Sequence, residues 1–395
     1  MLENGVLKYL YKESVKKFIC SQSIDFNYSE GDDARLVQIF NTIDNNTSNN
    51  FLVEELLYGM QRTMYVSKID QVEDNIRDRN IVLNKIRTLT EYLENVSVQE
   101  TLFINENIGS SIGDGERKLL YYKLSTCEDG LVDSIDIILG RGLSEGNEEL
   151  TVYYSITIDL INNLFIVRMR NMEHEYKWYK MNYYYQDIRN YILDKMGIIL
   201  VRNDSTYYRE TIYNILNYTN DTVLSRFYET IENELGSNIR QAVEQWNSIL
   251  ENSNITNEDR NSIIENIKNS YCKIISQNRL QGLNGIDIKQ TYGVDGYASR
   301  VVFEDDSIGS TRVRSGTVDD TLLNTTTFYD IKASMERCMN IKVANILWTD
   351  DNNKRINTTF NNEKQGKFKV VIINNYFYKE MNDYVLQKII QYSPR

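Results

Sequence analysis

The sequence is poor in the residues that most often build metal and catalytic sites. It holds one histidine, His174, and four cysteines, Cys20, Cys127, Cys272 and Cys338, each more than sixty residues from the next. A structural zinc site needs about four converging thiolate or imidazole ligands, which usually come in closely spaced pairs. We therefore expect no metal and no cofactor, and we interpret the cysteines as small buried residues in a reducing compartment.

Long hydrophobic runs are also missing. No stretch approaches the ~18 uncharged apolar residues that a membrane-spanning helix needs. The first residues, MLENGVLKYLYKESVKKF, lack the apolar segment of a signal peptide. We therefore expect a cytoplasmic protein without membrane contact.

Positive charge is in deficit, with 44 Lys and Arg against 56 Asp and Glu and a net charge of −12. Binding to nucleic-acid phosphates needs a concentrated positive field, so this balance disfavours broad electrostatic attraction to nucleic acid. A local basic surface remains compatible with it. Nor do the glycines of GSSIGDGERK end in the Lys-Ser/Thr of a phosphate-binding P-loop.

The patterning predicts an α+β protein of several regions, because 395 residues exceed one ordinary core. The expected regions are a mainly helical segment over 1–105, an antiparallel β meander over 106–182, a helical segment over 183–283 and a mixed α+β segment over 284–395. Short runs rich in β-branched and aromatic residues, bounded by turn residues, indicate the meander.

A heptad pattern over 66–96 predicts one long helix. Apolar residues recur seven apart, with polar breaks in each seam; the seam residues are Ile69, Ile76, Leu83 and Thr90, and Val72, Arg79, Ile86 and Leu93. Two interpretations stay open, a coiled coil with another chain and a long helix packed on its own domain, and the second is favoured.

Local signals place several helix ends. Thr256 and Asp259 form a capping-box pattern that predicts a helix start, and Gly236 predicts a helix end. A closing helix is expected over 379–390. A tight turn is expected at 160–163, between the last two strands of the meander.

His174 lies between Glu173 and Glu175, just beyond a predicted strand. On a strand these two carboxylates point away from the histidine, so they are badly placed to orient it as a base. We interpret His174 as a surface residue.

A metal-dependent nuclease is the catalytic alternative. Asp287 and Lys289, in GIDIKQ, repeat the acidic-x-Lys step found on strands of many such enzymes. The step also arises by chance in so charged a chain, and no acidic residue on a preceding strand accompanies it. No catalytic residue is therefore predicted beyond this weak pair.

Two basic groups, one of them beside an aromatic side chain, are candidates for nucleic-acid binding. Alternation places Arg168 with Arg170 on one strand face, and Arg312 with Arg314 on another; Arg300 is a further candidate on the same predicted hairpin as the second pair. Lys177, Trp178 and Lys180 follow the first pair, where a ring and two ammonium groups suit bases and phosphates. The other interpretation is a solvated sheet face beside an amphipathic helix.

These observations favour a non-catalytic subunit or adaptor that acts through protein–protein contacts in a bacterial-type assembly. The expected partner is another protein or a second copy of the chain, with nucleic acid as an additional partner. Composition alone points to a mobile-element or antiviral, phage-defence setting. The alternatives are the nuclease and a nucleic-acid-binding protein without catalysis.

Overall fold

The computed structural model describes residues 4–7, 10–24, 33–59, 62–73, 75–89, 112–146, 148–201, 205–249, 255–305, 309–317, 319–364, 367–373 and 379–394. The helices are α1 (Asn4–Leu7), α2 (Lys12–Ser21), α3 (Asp33–Phe40), α4 (Asn45–Tyr58), α5 (Arg79–Arg87), α6 (Met181–Met196), α7 (Ser205–Ile249), α8 (Asn257–Leu280), α9 (Gly285–Tyr292), α10 (Thr326–Cys338) and α11 (Lys379–Tyr392). The strands are β1 (Arg62–Val72), β2 (Arg117–Thr126), β3 (Val132–Glu145), β4 (Glu148–Asp159), β5 (Leu164–Arg170), β6 (Ile198–Leu200), β7 (Gly296–Asp305), β8 (Gly309–Arg314), β9 (Ile341–Thr349), β10 (Arg355–Asn361) and β11 (Phe368–Ile372).

The chain divides into two units, each built from two stretches. The first is Met1–Asn203 with Gly366–Tyr384, and the second is Asp204–Gln365 with Val385–Arg395. Both combine helices with antiparallel strands, which confirms the expected α+β class. The four regions inferred from the sequence are distributed over these two units. Among the helices of the described ranges, none is both long enough and apolar enough to cross a bilayer.

The first unit is built around a sheet in the order β2-β3-β4-β5-β1-β11, with β6 also paired to β1. Strands β2 to β5 are neighbours in chain order, as the predicted meander requires. The tight turn after β4 is confirmed: Asp159 accepts hydrogen bonds from the backbone of Ile161 and Asn162, and Asn163 adopts a φ of 54°. Short polar residues tolerate this left-handed conformation better than others.

Helices cover this sheet and complete the core of the first unit. The hydroxyl of buried Ser155, on β4, donates to the carbonyl of Leu56, on α4. The ring of Tyr185, on α6, stacks on Tyr65, on β1, with 3.8 Å between the ring centres. The Tyr65 hydroxyl lies 3.2 Å from Asn182 Oδ1, so α6 is fixed by packing and by hydrogen bonding together.

The long helix predicted over 66–96 is wrong. Residues 62–72 form β1, which pairs with three strands, and the helix that follows is only the nine residues of α5. Asp78 caps that helix by accepting hydrogen bonds from the backbone of Asn80 and Ile81. Residues 90–96 lie outside the described part of the chain.

The second unit combines a helical pair, α7 and α8, with a sheet in the order β10-β9-β7-β8. Helices α7, α9 and α10 contact its strands. The capping box of Thr256 and Asp259 is confirmed at the start of α8. The predicted helix end at Gly236 is wrong, because α7 continues to Ile249. A Cβ at Gly236 would lie 2.8 Å from the Glu232 carboxylate, so the glycine makes room for that side chain.

Candidate functional site

Three arginines share one face of the hairpin formed by β7 and β8. Arg300 is directly opposite Arg314, and Arg312 is opposite Val302, two residues further along β7. Because side chains alternate across a strand, the three guanidinium groups lie on the same face. Val301, Phe303 and Val313 are buried on the other face.

We call Arg300, Arg312 and Arg314 the arginine face. Arg312 and Arg314 are exposed, and Arg300 is half-buried. Burial, followed by the positive charges of Arg312 and Arg314, lowers the pKa of Arg300 below its usual value, while Glu363 has the opposite effect. No carboxylate within the described ranges forms an ion pair with any of the three. Among the described residues, the face therefore carries three positive charges that no ion pair neutralises.

One row of polar side chains continues from Arg300 across the sheet. Asn345, on β9, pairs with Arg300, and Thr359, on β10, pairs with Asn345. The side-chain oxygen of Asn345 is buried and accepts no hydrogen bond from any residue that the structure describes. A row of guanidinium, amide and hydroxyl groups thus crosses β8, β7, β9 and β10.

The spacing of these arginines suits a row of phosphates. Opposed residues of an antiparallel pair lie about 5 Å apart, and residues two apart along a strand lie about 6.8 Å apart. Guanidinium groups bind phosphate oxygens in pairs, and they do so without losing their charge. The arginine face can therefore hold two or three phosphates of one polyanion.

The other predicted nucleic-acid residues lie in the first unit, and Arg168 is not on a surface there. Its side chain is only 2% exposed, so its predicted role in contacting nucleic acid is wrong. Arg170, on the same strand, is half-buried and pairs with Glu175 at 3.0 Å. Lys177 and Lys180 are exposed, whereas Trp178 is half-buried against Tyr176 and the core.

Buried Arg168 takes part in a polar network instead. Its Nη1 donates to Thr157 Oγ1 at 2.8 Å, and Thr157 Oγ1 donates to Asp136 Oδ1 at 2.7 Å. The guanidinium carbon lies 5.2 Å from the centre of the Tyr58 ring. Burial lowers the pKa of Arg168, and the attraction of Asp136 and Asp383 opposes this effect.

Asp287 and Lys289 do not form the expected acidic-x-Lys step on a strand. They lie on α9, where Asp287 accepts a hydrogen bond from the backbone of Asn284 and completes a capping box. Lys289 Nζ donates to the carbonyls of Thr349 and Asp350 and pairs with Asp351 at 3.1 Å. The two side chains thus have separate structural partners.

His174 is exposed, in a turn, as the sequence indicated. Glu173 accepts a hydrogen bond from the backbone of Met181, and Glu175 pairs with Arg170, so neither carboxylate orients the imidazole. Within the part of the chain that the structure describes, no three His, Cys, Asp or Glu side chains are grouped as metal ligands.

A polar groove of about 1220 Å³ lies beside α8 and α10 in the second unit. Two of its three lysines pair with close acids: Lys268 pairs with Glu232 at 2.9 Å and Glu265 at 3.0 Å, and Lys332 pairs with Glu336. This internal pairing leaves the groove less suited to an anion than the arginine face.

No protein-family model, curated protein or solved structure matches this chain.

The arginine face is formed by the pairing of β7 with β8. The sequence indicates all three arginines as candidates, and the register shows that Arg300 shares the face of the other two and adds Asn345.

Proposed function

We propose that this chain is a non-catalytic binding protein whose arginine face holds backbone phosphates of nucleic acid. The observation that carries the proposal is the convergence of Arg300, Arg312 and Arg314 without a paired carboxylate among the residues that the structure describes, in a chain with an excess of acidic residues. Stacking aromatic side chains do not accompany these arginines on β8. We therefore expect recognition of the backbone rather than of base sequence.

The test is a binding titration with duplex and single-stranded DNA and RNA over a range of salt concentrations. In the double variant Arg312→Ala with Arg314→Ala, we expect weaker binding to every sequence. The slope of log K against log salt on duplex DNA should become shallower by about 1.8, because two phosphate contacts are lost.

The matched control is Lys123→Ala with Lys195→Ala, which removes the same charge from exposed positions of the first unit. This control should leave both affinity and salt slope unchanged. Equal weakening in the two double variants would contradict the proposal, as would wild-type protein that binds none of the nucleic acids at low salt.

An adaptor function through protein contact is the second candidate, and a different observation favours it. Trp246 and Ile249, three residues apart at the end of α7, are 53% and 77% exposed. Exposed aromatic and aliphatic side chains on one helical face are typical of protein interfaces. The heptad over 66–96 gives this function no support, because its first part is a strand.

Sedimentation equilibrium tests the homo-oligomeric form of the adaptor proposal. If Trp246 and Ile249 contact a second copy, the wild-type mass exceeds one chain, and Trp246→Ala with Ile249→Ala restores the single-chain mass. Tyr183→Ala, at a residue of α6 that is 59% exposed, is the control and should leave the mass unchanged. A wild-type protein that sediments as one chain contradicts this form.

A further inference from the structure

A cavity of about 300 Å³ opens in the first unit between α2, α4 and the start of α11. Three aromatic side chains supply its apolar surface. The rings of Phe18 and Phe51 are stacked with 4.2 Å between centres and 12° between planes, and Tyr58 lies at the end of α4. The volume falls at the lower end of the range typical of small-molecule sites.

Opposite charges line different walls of this cavity. Lys17 is on α2 and Lys379 begins α11, whereas Glu54 and Glu55 are both on α4. Lys17, Glu54 and Lys379 are exposed at the rim, and Glu55 is half-buried. A ligand with a single charge would match one wall and face a like charge on another. A ligand that carries both charges would match both walls.

The Arg168 network lies behind Tyr58 and fixes the inner wall. The guanidinium group packs on the Tyr58 ring at 5.2 Å, and Lys379 Nζ lies 6.0 Å from the same ring centre. Arg168 Nε is buried and donates no hydrogen bond within the described ranges. Burial raises the pKa of Tyr58 far above its usual value, so its phenol stays neutral and can donate a hydrogen bond to a bound molecule.

We propose that this cavity binds a small zwitterion with an aromatic ring, the chemical class of a free aromatic amino acid. The ring packs against Phe18 and Phe51, the ammonium group faces the glutamates of α4, and the carboxylate faces Lys17 and Lys379. This site is independent of the arginine face, which belongs to the second unit.

Isothermal titration calorimetry on the full chain tests the proposal with three probes. L-phenylalanine carries both charges, 2-phenylethylamine lacks the carboxylate and 3-phenylpropanoate lacks the amine. We expect L-phenylalanine to bind with a Kd at or below about 1 mM, and each singly charged probe to bind at least about tenfold more weakly. Absence of L-phenylalanine binding, or equal binding of the three probes, overturns the proposal.

Two substitutions at exposed rim positions locate the site. Glu54→Gln and Lys379→Met should each weaken L-phenylalanine binding at least about tenfold, since each removes one charge complement. Lys195→Met, at an exposed residue of α6 in the same unit, is the control and should bind as the wild type does. Far-ultraviolet circular dichroism checks that each variant is folded. Wild-type affinity in folded Glu54→Gln and Lys379→Met protein overturns the assignment to this cavity.

Discussion

Arg168 and Arg170 show how differently two arginines on one strand can behave. They are two residues apart on β5 and point to the same side of it, yet Arg168 is 2% exposed while Arg170 reaches the exposed Glu175. Alternation along a strand assigns a face but does not say what covers that face. Here the end of α4 places Tyr58 over Arg168, and no local sequence pattern predicts that contact.

Replacement of Arg168 by leucine is expected to lower the free energy of unfolding by about 3 kcal/mol or more. The change removes the guanidinium charge that attracts Asp136 and Asp383 in a poorly solvated place, and it leaves Asp383 with the attraction of Lys379 alone. Arg170→Leu removes only a partly exposed ion pair and should cost less than about 1 kcal/mol. Urea unfolding of both variants measures the difference, and equal losses would count against a charged network around Arg168.

The sequence led us to expect four buried cysteines, but the structure buries them to different degrees. Cys272 is buried, Cys127 and Cys338 are half-buried, and Cys20 is exposed. Burial is the main reason that the pKa of the Cys272 thiol rises to about 11. Only the thiolate attacks alkylating reagents, so little of Cys272 is reactive near pH 8.

Alkylation of native protein at pH 8 should therefore modify Cys20 roughly a hundredfold faster than Cys272. Peptide mass spectrometry at increasing times distinguishes the two sites. The difference should disappear in denaturant, where burial is lost. Comparable rates in native protein would show that Cys272 is accessible.

At the scale of elements, the heptad predicts a helix over part of β1 because burial does not alternate along this strand. Met64, Tyr65 and Val66 are all buried in sequence, so the run shows no alternation, and a heptad fits it by coincidence. The break was nevertheless encoded locally: Asn75 adopts a φ of 66°, and Asp78 caps α5. Neither position fits the interior of a helix.

The capping-box pattern occurs at the starts of both α8 and α9, but the sequence predicts only the first of these helices. Thr256 with Asp259 was recognised, and the start of α8 is confirmed. Asn284 with Asp287 follows the same pattern at the start of α9. The alternation of apolar and polar residues in GIDIKQ nevertheless favours a strand. A helix as short as eight residues offers too little hydrophobic periodicity to correct that mistake.

An ion cluster ties α6 to the meander, and its strength can be measured. Arg117 Nη2 lies 2.9 and 2.8 Å from the two carboxylate oxygens of Asp187, and Arg141 also donates to that carboxylate. The ring of Tyr191 lies 4.5 Å from the Arg117 guanidinium carbon. One carboxylate on α6 thereby compensates two guanidinium groups on β2 and β3.

Asp187→Asn is expected to lower the free energy of unfolding by about 2 kcal/mol, because two arginines then face each other without a negative charge. Asp194→Asn, at an exposed residue of the same helix, should change it by less than about 0.5 kcal/mol. Thermal or urea unfolding provides the comparison. A higher salt concentration should reduce the difference in unfolding free energy between the two variants, because salt screens the repulsion between Arg117 and Arg141.

At the scale of the whole molecule, the sequence predicted the α+β class and the meander but not the division into two units. β11 pairs with β1, although the second unit's strands and helices lie between them in the chain. Contacts of such long sequence separation leave no local pattern. The sequence predicts Arg300, Arg312 and Arg314 as candidates on one hairpin, but alternation joins only Arg312 with Arg314, and the strand register is needed to place Arg300 on their face.

The net charge of −12 and the arginine face should act in opposite directions on nucleic-acid binding. The overall charge repels a polyanion at long range, and salt screens that repulsion beyond a Debye length of about 10 Å. We expect added salt to raise the association rate constant while the equilibrium affinity falls. Stopped-flow fluorescence with labelled DNA measures both, and an association rate that drops steeply with salt would contradict this expectation.

The return of β11 to the first unit has a consequence for biosynthesis. A nascent chain that has reached the end of β10 already contains β1 to β6 but still lacks the strand that pairs with β1 opposite β5. Until residues 368–372 leave the ribosome, that side of β1 offers unpaired backbone groups to any neighbouring chain, which is the situation in which polypeptides stick to one another. Slow translation of the codons between β10 and the end of β11 would prolong this exposure, and chaperones that shield open strand edges would matter most at that moment.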